Sequence, residues 1–212
     1  GVDLRGFPYN AWRKLSKECL ADDKAEMFRL GNPQGELGLR NAICNYLHQA
    51  RGVNCSPDQI IVGAGNDYLY MVLTTVMGNH HKIAFENPTY KRDYQLFYNL
   101  SYETCTVDMA VKLEQSNADI AFVMRSHQYP LGIVMPVKRR LELLQWAEKK
   151  ADRYIIEDDY DSEFRYKGKP IPALQGYDNH MMVQMMTQSS QHFLTRNILN
   201  ISRNILMNTV LM

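Results

Sequence analysis

Apolar residues recur along this chain at two spacings. Short β-rich runs occur at QIIVGAG (59–65), KIAFENP (82–88), YETCTV (102–107), DIAFVM (119–124) and RYIIEDDY (153–160). Helical patterns lie between several of them. Leu39, Ala42, Ile43, Tyr46 and Leu47 stand at i, i+3, i+4, i+7 and i+8, which predicts one buried stripe on a helix. Leu69, Val72, Leu73, Val76 and Met77 repeat that spacing. Val137, Leu141 and Leu144 follow it again, with Lys and Arg opposite. Continuous apolar strands alternating with amphipathic helices predict an α/β fold whose mainly parallel sheet is covered on both faces. Pro8, Pro33, Pro57, Pro88, Pro130 and Pro170 fall between the periodic segments, where turns belong.

The segment 179–212 breaks this pattern. It contains no Gly, Pro, Lys or acidic residue, over-uses Met (MMVQMM) and repeats NIL in RNILNISRNILMN. Such a shift suggests a different origin, a shifted reading frame, a segment that docks on something else, or simply an apolar C-terminal helix.

Composition narrows the class without naming it. The 212 residues suffice for one sizeable core, and 45% hydrophobic with 22% charged residues is an ordinary globular balance. A net charge of +1 without a basic block gives no sign of nucleic-acid binding. Cys19, Cys44, Cys55 and Cys105 show no C-x-x-C spacing and follow no secretory leader, so reduced thiols in a cytoplasmic protein are expected. No apolar run is long enough for a membrane span.

In an open α/β sheet, ligands bind at the carboxyl ends of the strands. The candidate chemistry lies there. VGAGN (62–66) enters a helix near Asn66; small residues let backbone approach a ligand, and a helix start offers N–H groups to a phosphate. Glycines are equally what such a turn needs for its own sake. In ENPTYKR (86–92), Tyr90 can cover a planar ligand and Arg92 can pair with a carboxylate or phosphate, or both can be ordinary surface residues. SHQYPLG (126–132) puts His127 and Gln128 at a strand end, where a lone His is most simply a satisfied loop residue. His80 and His81 lack a third partner at useful spacing, so no metal site is expected.

Most informative is EDDYD (157–161). Strand alternation places Asp158 and Tyr160 on one face and Asp159 and Asp161 on the other. Magnesium would want these carboxylates to converge, so the alternation argues against it. One carboxylate and one phenol suit a protonated aromatic nitrogen beside a phenolic oxygen, the pair that pyridoxal phosphate presents.

Four stretches carry a resemblance: PQGELGLRNAICNYLHQARGVNCSPDQIIVGAGNDYL, AFENPTYKR, SHQYPLGIVMPVKRRLELLQWA and YIIEDDYDSEFRYKGKPIPALQGYD. In this order they resemble the aminotransferase-like domain of MocR/GabR-type regulators, pyridoxal-phosphate-dependent proteins of fold type I akin to class I/II aminotransferases. The resemblance runs from about Asp3 to Asp178. It implies a three-layer αβα fold with an incomplete large domain. Residues 1–34 would be an N-terminal arm and a piece of the small domain, 35–178 part of the large domain, and 179–212 an atypical tail. It further implies that backbone at Ala64, Gly65 and Asn66 holds the cofactor phosphate and that Tyr90 stacks on the ring. Asp158 would pair with the ring nitrogen and Tyr160 with the 3-oxygen. His127 and Gln128 would lie nearby, and Arg92 beside the substrate or the phosphate.

The departures from the family shape the functional expectation. Intact relatives carry a winged-helix DNA-binding domain ahead of this region, whereas this sequence opens at GVDLRGFPYNAW. They also carry a lysine after Thr-Phe-Ser that forms a Schiff base with the cofactor. Its nearest counterpart here is MMTQSSQ (185–191), with Ser190 or Gln191 in its place, and no lysine follows Lys169. The C-terminal domain with its substrate-carboxylate arginine has no counterpart, the run 107–118 is short, and Arg125 replaces a proline. The expectation is a shortened pyridoxal-phosphate-binding domain with no catalytic residue and little or no transaminase activity. The alternative is the effector-sensing domain of a GntR/MocR-type regulator that has lost its DNA-binding domain. The partner would be an amino acid or keto acid. Intact relatives form homodimers; a shortened chain with newly exposed apolar surface is not expected to do so readily. A methyltransferase using VGAGN, with Glu86 on a ribose, leaves ENPTYKR and EDDYDSEF unexplained.

Overall fold

The computed structural model describes residues 8–20, 30–108, 113–126, 128–159, 174 and 182–185, the last segment as backbone. Its strands are β1 (Lys82–Glu86), β2 (Glu103–Val107), β3 (Ile120–Val123), β4 (Tyr154–Asp158) and β5 (Met182–Met185). All are parallel, in the order β2-β1-β3-β4-β5. Parallel neighbours need crossovers, and helices supply them. Helix α4 (Lys91–Asn99) joins β1 to β2, and α5 (Val137–Glu148) lies between β3 and β4. Before the sheet come α1 (Tyr9–Leu20), α2 (Leu37–Tyr46) and α3 (Asn66–Met77).

Alternation along the strands builds two cores. Ile83, Phe85, Ile120, Phe122 and Ile156 face α3 and α4, where Tyr70, Phe97 and Tyr102 join them. Phe85 and Phe122 lie with ring centroids 4.9 Å apart, and Tyr70 sits 5.1 Å from Phe97. On the opposite side Ala84, Ala121, Val123 and Ile155 pack with Leu143, Leu144 and Trp146 of α5. The register explains the difference. Cys105, Ala84, Ala121 and Ile155 align across four strands, and that row of mostly small side chains lets α5 approach the sheet.

The expected helices and four of the five expected strands are present, with three differences. The run 59–65 is not a strand. Ile60 is extended, but Val62 N–H meets only Gln34 O, at 2.9 Å, and no described strand lies beside the run to complete a ladder. On α5, Val137 and Leu141 are exposed while Arg140, Leu143, Leu144 and Trp146 are buried. The helix is turned because Arg140 Nε donates to Met135 O at 2.9 Å, and because two leucines and an indole bury more apolar area than the predicted stripe. On α3, Val76 of the predicted stripe is exposed and the fully buried residue is Tyr70, whose ring meets Phe97 and Phe122.

Residues 182–185 of the unusual segment pair with β4, Ile155 opposite Met182 and Asp158 opposite Met185. That stretch is therefore strand and not helix. No helix among the described residues is long and apolar enough to cross a membrane.

Candidate functional site

The chain leaves β1 for β2 on one side, and β3 lies on the other, so the strand order reverses between β1 and β3. Such a switch point opens a crevice at the carboxyl ends. The segment after β1 carries Pro88 and Tyr90, and the segment after β3 carries Gln128 and Tyr129. Across the crevice Gln128 Nε2 donates to Pro88 O, and the rings of Tyr90 and Tyr129 meet edge to face at 5.3 Å. Behind Gln128 the backbone turns back on itself, with Gln128 N–H on Ile133 O at 3.0 Å and Gly132 N–H on Gln128 O at 2.7 Å. Tyr90 is 38% exposed, enough to leave part of its ring available.

The glycine turn leads into α3. A Cβ on Gly63 would lie 2.4 Å from Tyr68 Cδ1 and 2.7 Å from Leu69 Cδ2, so only glycine lets the helix fold back this closely. Gly65 has φ 88°, a left-handed conformation that glycine adopts freely, and its N–H closes onto Gly63 O at 3.0 Å. It is the N-cap of α3 and supplies no side-chain cap. Helix starts leave N–H groups in need of acceptors, and an anion is one remedy. Asp67 in the first turn points outward instead and pairs with Arg92 of α4 at 2.6 Å. Both side chains are largely exposed, and the neighbouring Asp67 raises the Arg92 pKa.

The acids at the end of β4 have separate destinations. Glu157 is fully buried on the α5 side, where its carboxylate accepts from Arg125 Nε at 2.5 Å and from Leu174 N–H at 3.1 Å. Burial is the largest influence on Glu157 and raises its pKa against the pull of Arg125. Asp159, 1% exposed, accepts from Arg51 Nη2 at 2.6 Å and from Ser126 Oγ at 2.9 Å. Asp158 is buried and belongs to the α3 side with Ile156. Its negative charge reaches Tyr70, whose phenol is held protonated well above its ordinary range, by burial first and by Asp158 next. The Tyr70 hydroxyl has no hydrogen-bond partner among the described residues. Glu86, at the end of β1, accepts the Met124 N–H at 2.9 Å; burial pushes its carboxyl up to about 7. It is thus committed to the neighbouring strand and is not offered to a ribose.

The structure puts Gly65 and Asn66 at the start of α3, and Tyr90, Gln128 and Asp158 at the carboxyl ends of β1, β3 and β4. Ala64 is exposed in the turn, and Arg92 lies at the mouth on Asp67. His127 and Tyr160 lie outside the described residues. Sequence reasoning missed Tyr70, Arg51 and Arg125. Tyr70 was hidden in an apolar stripe. Arg51 meets Asp159 across 108 residues of chain, and no local pattern signals such a pair.

Residues 3–189 match the family model for aminotransferase class I and II. The chain belongs to that aminotransferase family. It is 40% identical over 199 residues to "Uncharacterized HTH-type transcriptional regulator YdeL" of Bacillus subtilis, covering 91% of this chain and 43% of that protein. It is 32% identical to the probable rhizopine catabolism regulatory protein MocR of Rhizobium meliloti, covering 83% and 37%. The crystal structure of Pyrococcus horikoshii kynurenine aminotransferase, a complex with PMP, superposes with TM-score 0.77 at 21% identity, over 88% of this chain and 50% of that one. The fold is therefore that of the pyridoxal-phosphate-dependent aminotransferases, fold type I. The chain spans half or less of the length of each of these relatives.

Proposed function

We propose that this aminotransferase-like domain binds pyridoxal 5′-phosphate non-covalently in the crevice and has little or no transaminase activity. The observation that carries the proposal is the buried Asp158 at the carboxyl end of β4, on the α3 side, with its charge on Tyr70. Two features of the chain fit the cofactor. Gly65 begins α3 in a left-handed conformation without a side-chain cap, which suits a phosphate, and the Tyr70 hydroxyl is buried without a described partner.

When bound, such a cofactor supplies an electron-withdrawing ring and a reactive aldehyde. The chain's own part is to orient it. Backbone at Ala64, Gly65 and Asn66 would hold the phosphate, Tyr90 would cover the ring, and Asp158 would hold the proton on the ring nitrogen. Tyr160 would donate to the 3-oxygen, with His127 and Gln128 alongside. Arg92 would meet the carboxylate of an amino or keto acid only by leaving Asp67. No lysine follows Lys169, and Ser190 or Gln191 stands where the family places its cofactor-linked lysine, so no covalent anchor is expected.

A second reading is favoured by the regulator relatives: the domain senses the cofactor or an amino acid and does not turn it over. Leu131, Ile133, Val134, Val137 and Leu141 lie exposed, and a homodimer of the kind implied for intact relatives would give them a partner.

The test is a titration of the purified chain with pyridoxal phosphate, read by absorbance and by quenching of Trp12 and Trp146 fluorescence. Saturable binding is expected, reversible on dialysis, with no borohydride-trapped adduct at a single residue. No saturation, or equal affinity in Asp158→Ala, overturns cofactor binding. A defined trapped adduct overturns the non-covalent mode. Binding of amino acids to the loaded protein without release of keto acid selects the sensing reading.

A further inference from the structure

Away from the crevice, α2 continues into a π-helical turn, Leu47–Arg51, that stops at Gly52 in a left-handed conformation (φ 66°). The reversal carries Val53 back onto Leu47, with Val53 N–H on Leu47 O at 3.2 Å, and delivers Cys55 to the flank of the helix. Cys44 and His48, one helical turn apart, point at the same place. Cys44 Sγ lies 3.9 Å from Cys55 Sγ and 3.9 Å from His48 Nε2, and all three donor atoms fall within 4.8 Å of one another.

We propose that Cys44, His48 and Cys55 form a binding site for a thiophilic divalent cation, with zinc(II) the best match. A tetrahedral zinc ion with bonds of about 2.3 Å to sulfur and about 2.0–2.1 Å to nitrogen holds its donors roughly 3.5–3.8 Å apart. Two of the observed separations, at 3.9 Å, are close to that, and the third lies within 4.8 Å, so side-chain rotations can bring the donors together. Two sulfurs and an imidazole are also the donor set that selects a soft or borderline ion over magnesium or calcium. The fourth position falls to water, because His48 is exposed. Binding forms two sulfur–metal bonds and one nitrogen–metal bond, two thiol protons pass to solvent, and no electron changes hands.

The imidazole distinguishes this reading from a disulfide. A disulfide would use only the two cysteines, would need an oxidant, and would have to shorten the 3.9 Å sulfur separation to about 2.05 Å. Metal ligation uses all three residues. Without metal, His48 Nε2 lies 3.2 Å from Cys55 N and 2.9 Å from Cys55 O, and one tautomer serves only one of these. The tautomer protonated at Nδ1 leaves Nε2 with the lone pair that a metal requires. The same π-helical turn carries Arg51, which grips Asp159 beside the crevice. An ion here would fasten that turn to the loop that leads on to the glycine turn.

The test uses the reduced, metal-stripped chain titrated with cobalt(II), which reports thiolate ligation by charge-transfer absorption and tetrahedral geometry by its ligand-field bands. One cobalt per chain is expected, displaced by zinc, with a raised unfolding temperature. Cys55→Ser should abolish the charge-transfer band. His48→Gln, at an exposed position that spares the fold, should weaken binding by more than the ~10–100-fold typical of losing an outer-shell partner. Cys105→Ser should bind as the parent does, and circular dichroism checks that each variant is folded. Absence of saturable binding, a charge-transfer band retained in folded Cys55→Ser, or affinity unchanged in His48→Gln overturns the proposal. So does a Cys44–Cys55 disulfide that forms in air while the reduced protein takes up no cobalt. None of these results depends on pyridoxal phosphate.

Discussion

The two layers that cover the sheet bury different chemistry. On the α5 side the interior is aliphatic, and each buried charged group there has a counterpart: Arg125 with Glu157, Arg140 with Met135 O, and Arg153 with Trp146 O and Glu114. Arg153 also lies over the Trp146 ring, 4.6 Å from its centroid. On the α3/α4 side the interior is aromatic, and the polar groups that enter it include Asp158, Tyr70 of α3 and Asp93 of α4. Paired charge holds a scaffold together, and the α5 side is built that way even though Trp146 Nε1 has no hydrogen-bond partner among the described residues. On the other side the Tyr70 hydroxyl has none among the described residues either, and it lies within reach of the Asp158 charge, where a ligand could use it. The difference runs through two consecutive residues at the end of β4, with Glu157 on one side and Asp158 on the other.

The largest effect should come from breaking the scaffold side. Arg125→Met leaves Glu157 buried without its cation and should cost about 3–5 kcal/mol, read as a lower urea midpoint. Arg125→Met combined with Glu157→Met should recover part of that loss, because the buried charge goes with its partner while the Leu174 N–H loses its acceptor. If the double variant is no better than the single one, the pair is not a self-contained structural unit.

Asp158→Asn is the matching change on the ligand side. It should weaken pyridoxal phosphate about 10–100-fold, the value of one charge-assisted hydrogen bond. Asp159→Asn should lower the urea midpoint and leave the affinity near that of the parent, since its carboxylate is held by Arg51 and Ser126. Equal effects of the two substitutions on affinity would erase the distinction between the neighbouring acids.

Much of this contrast was legible in the sequence, and the reason is periodicity. A strand alternates faces, so the opposite fates of Asp158 and Asp159 follow from their adjacency alone. The glycine turn and the helix after it were legible because Gly63 and Gly65 each meet a local demand. The orientation of α5 was not, because an arginine counts as polar in any pattern until its partner is known, and the partner here is a backbone carbonyl five residues back, which no side-chain pattern marks. The run 59–65 read as a strand because its composition is that of one, yet a strand exists only with a neighbour. For Cys44, His48 and Cys55 the helical half was visible as an i, i+4 pair. The third donor depends on how the chain reverses at Gly52.

A smaller effect tests the crevice through pH. Glu86 ionises near 4.5 in the unfolded chain but only at about 7 in the folded one. Between those values the folded state binds its proton more tightly, so raising the pH through this window lowers stability, and the loss is complete above it. Glu86→Gln keeps an acceptor for Met124 N–H and removes the ionisation. It should gain about 2 kcal/mol over the parent at pH 8 and little at pH 4, after allowing for partial exposure. Parallel pH curves for the two proteins would mean that Glu86 is not desolvated.

The smallest effect is the most telling for the comparison. Removing the hydroxyl in Tyr70→Phe leaves the ring contacts with Phe97 and Phe122 in place. A buried hydroxyl without a partner costs free energy, so without ligand the variant should be more stable by about 1 kcal/mol. Deleting a satisfied group would instead destabilise, as for the arginines on the α5 side. With pyridoxal phosphate present the order should invert if the hydroxyl serves the bound state: the variant gains less stability from the cofactor than the parent does, and the difference equals its loss in binding free energy. A gain that persists unchanged at saturating cofactor would make Tyr70 a packing residue whose hydroxyl does nothing for the ligand. The polar interior of the α3/α4 layer would then rest on its buried acids, Asp158 and Asp93.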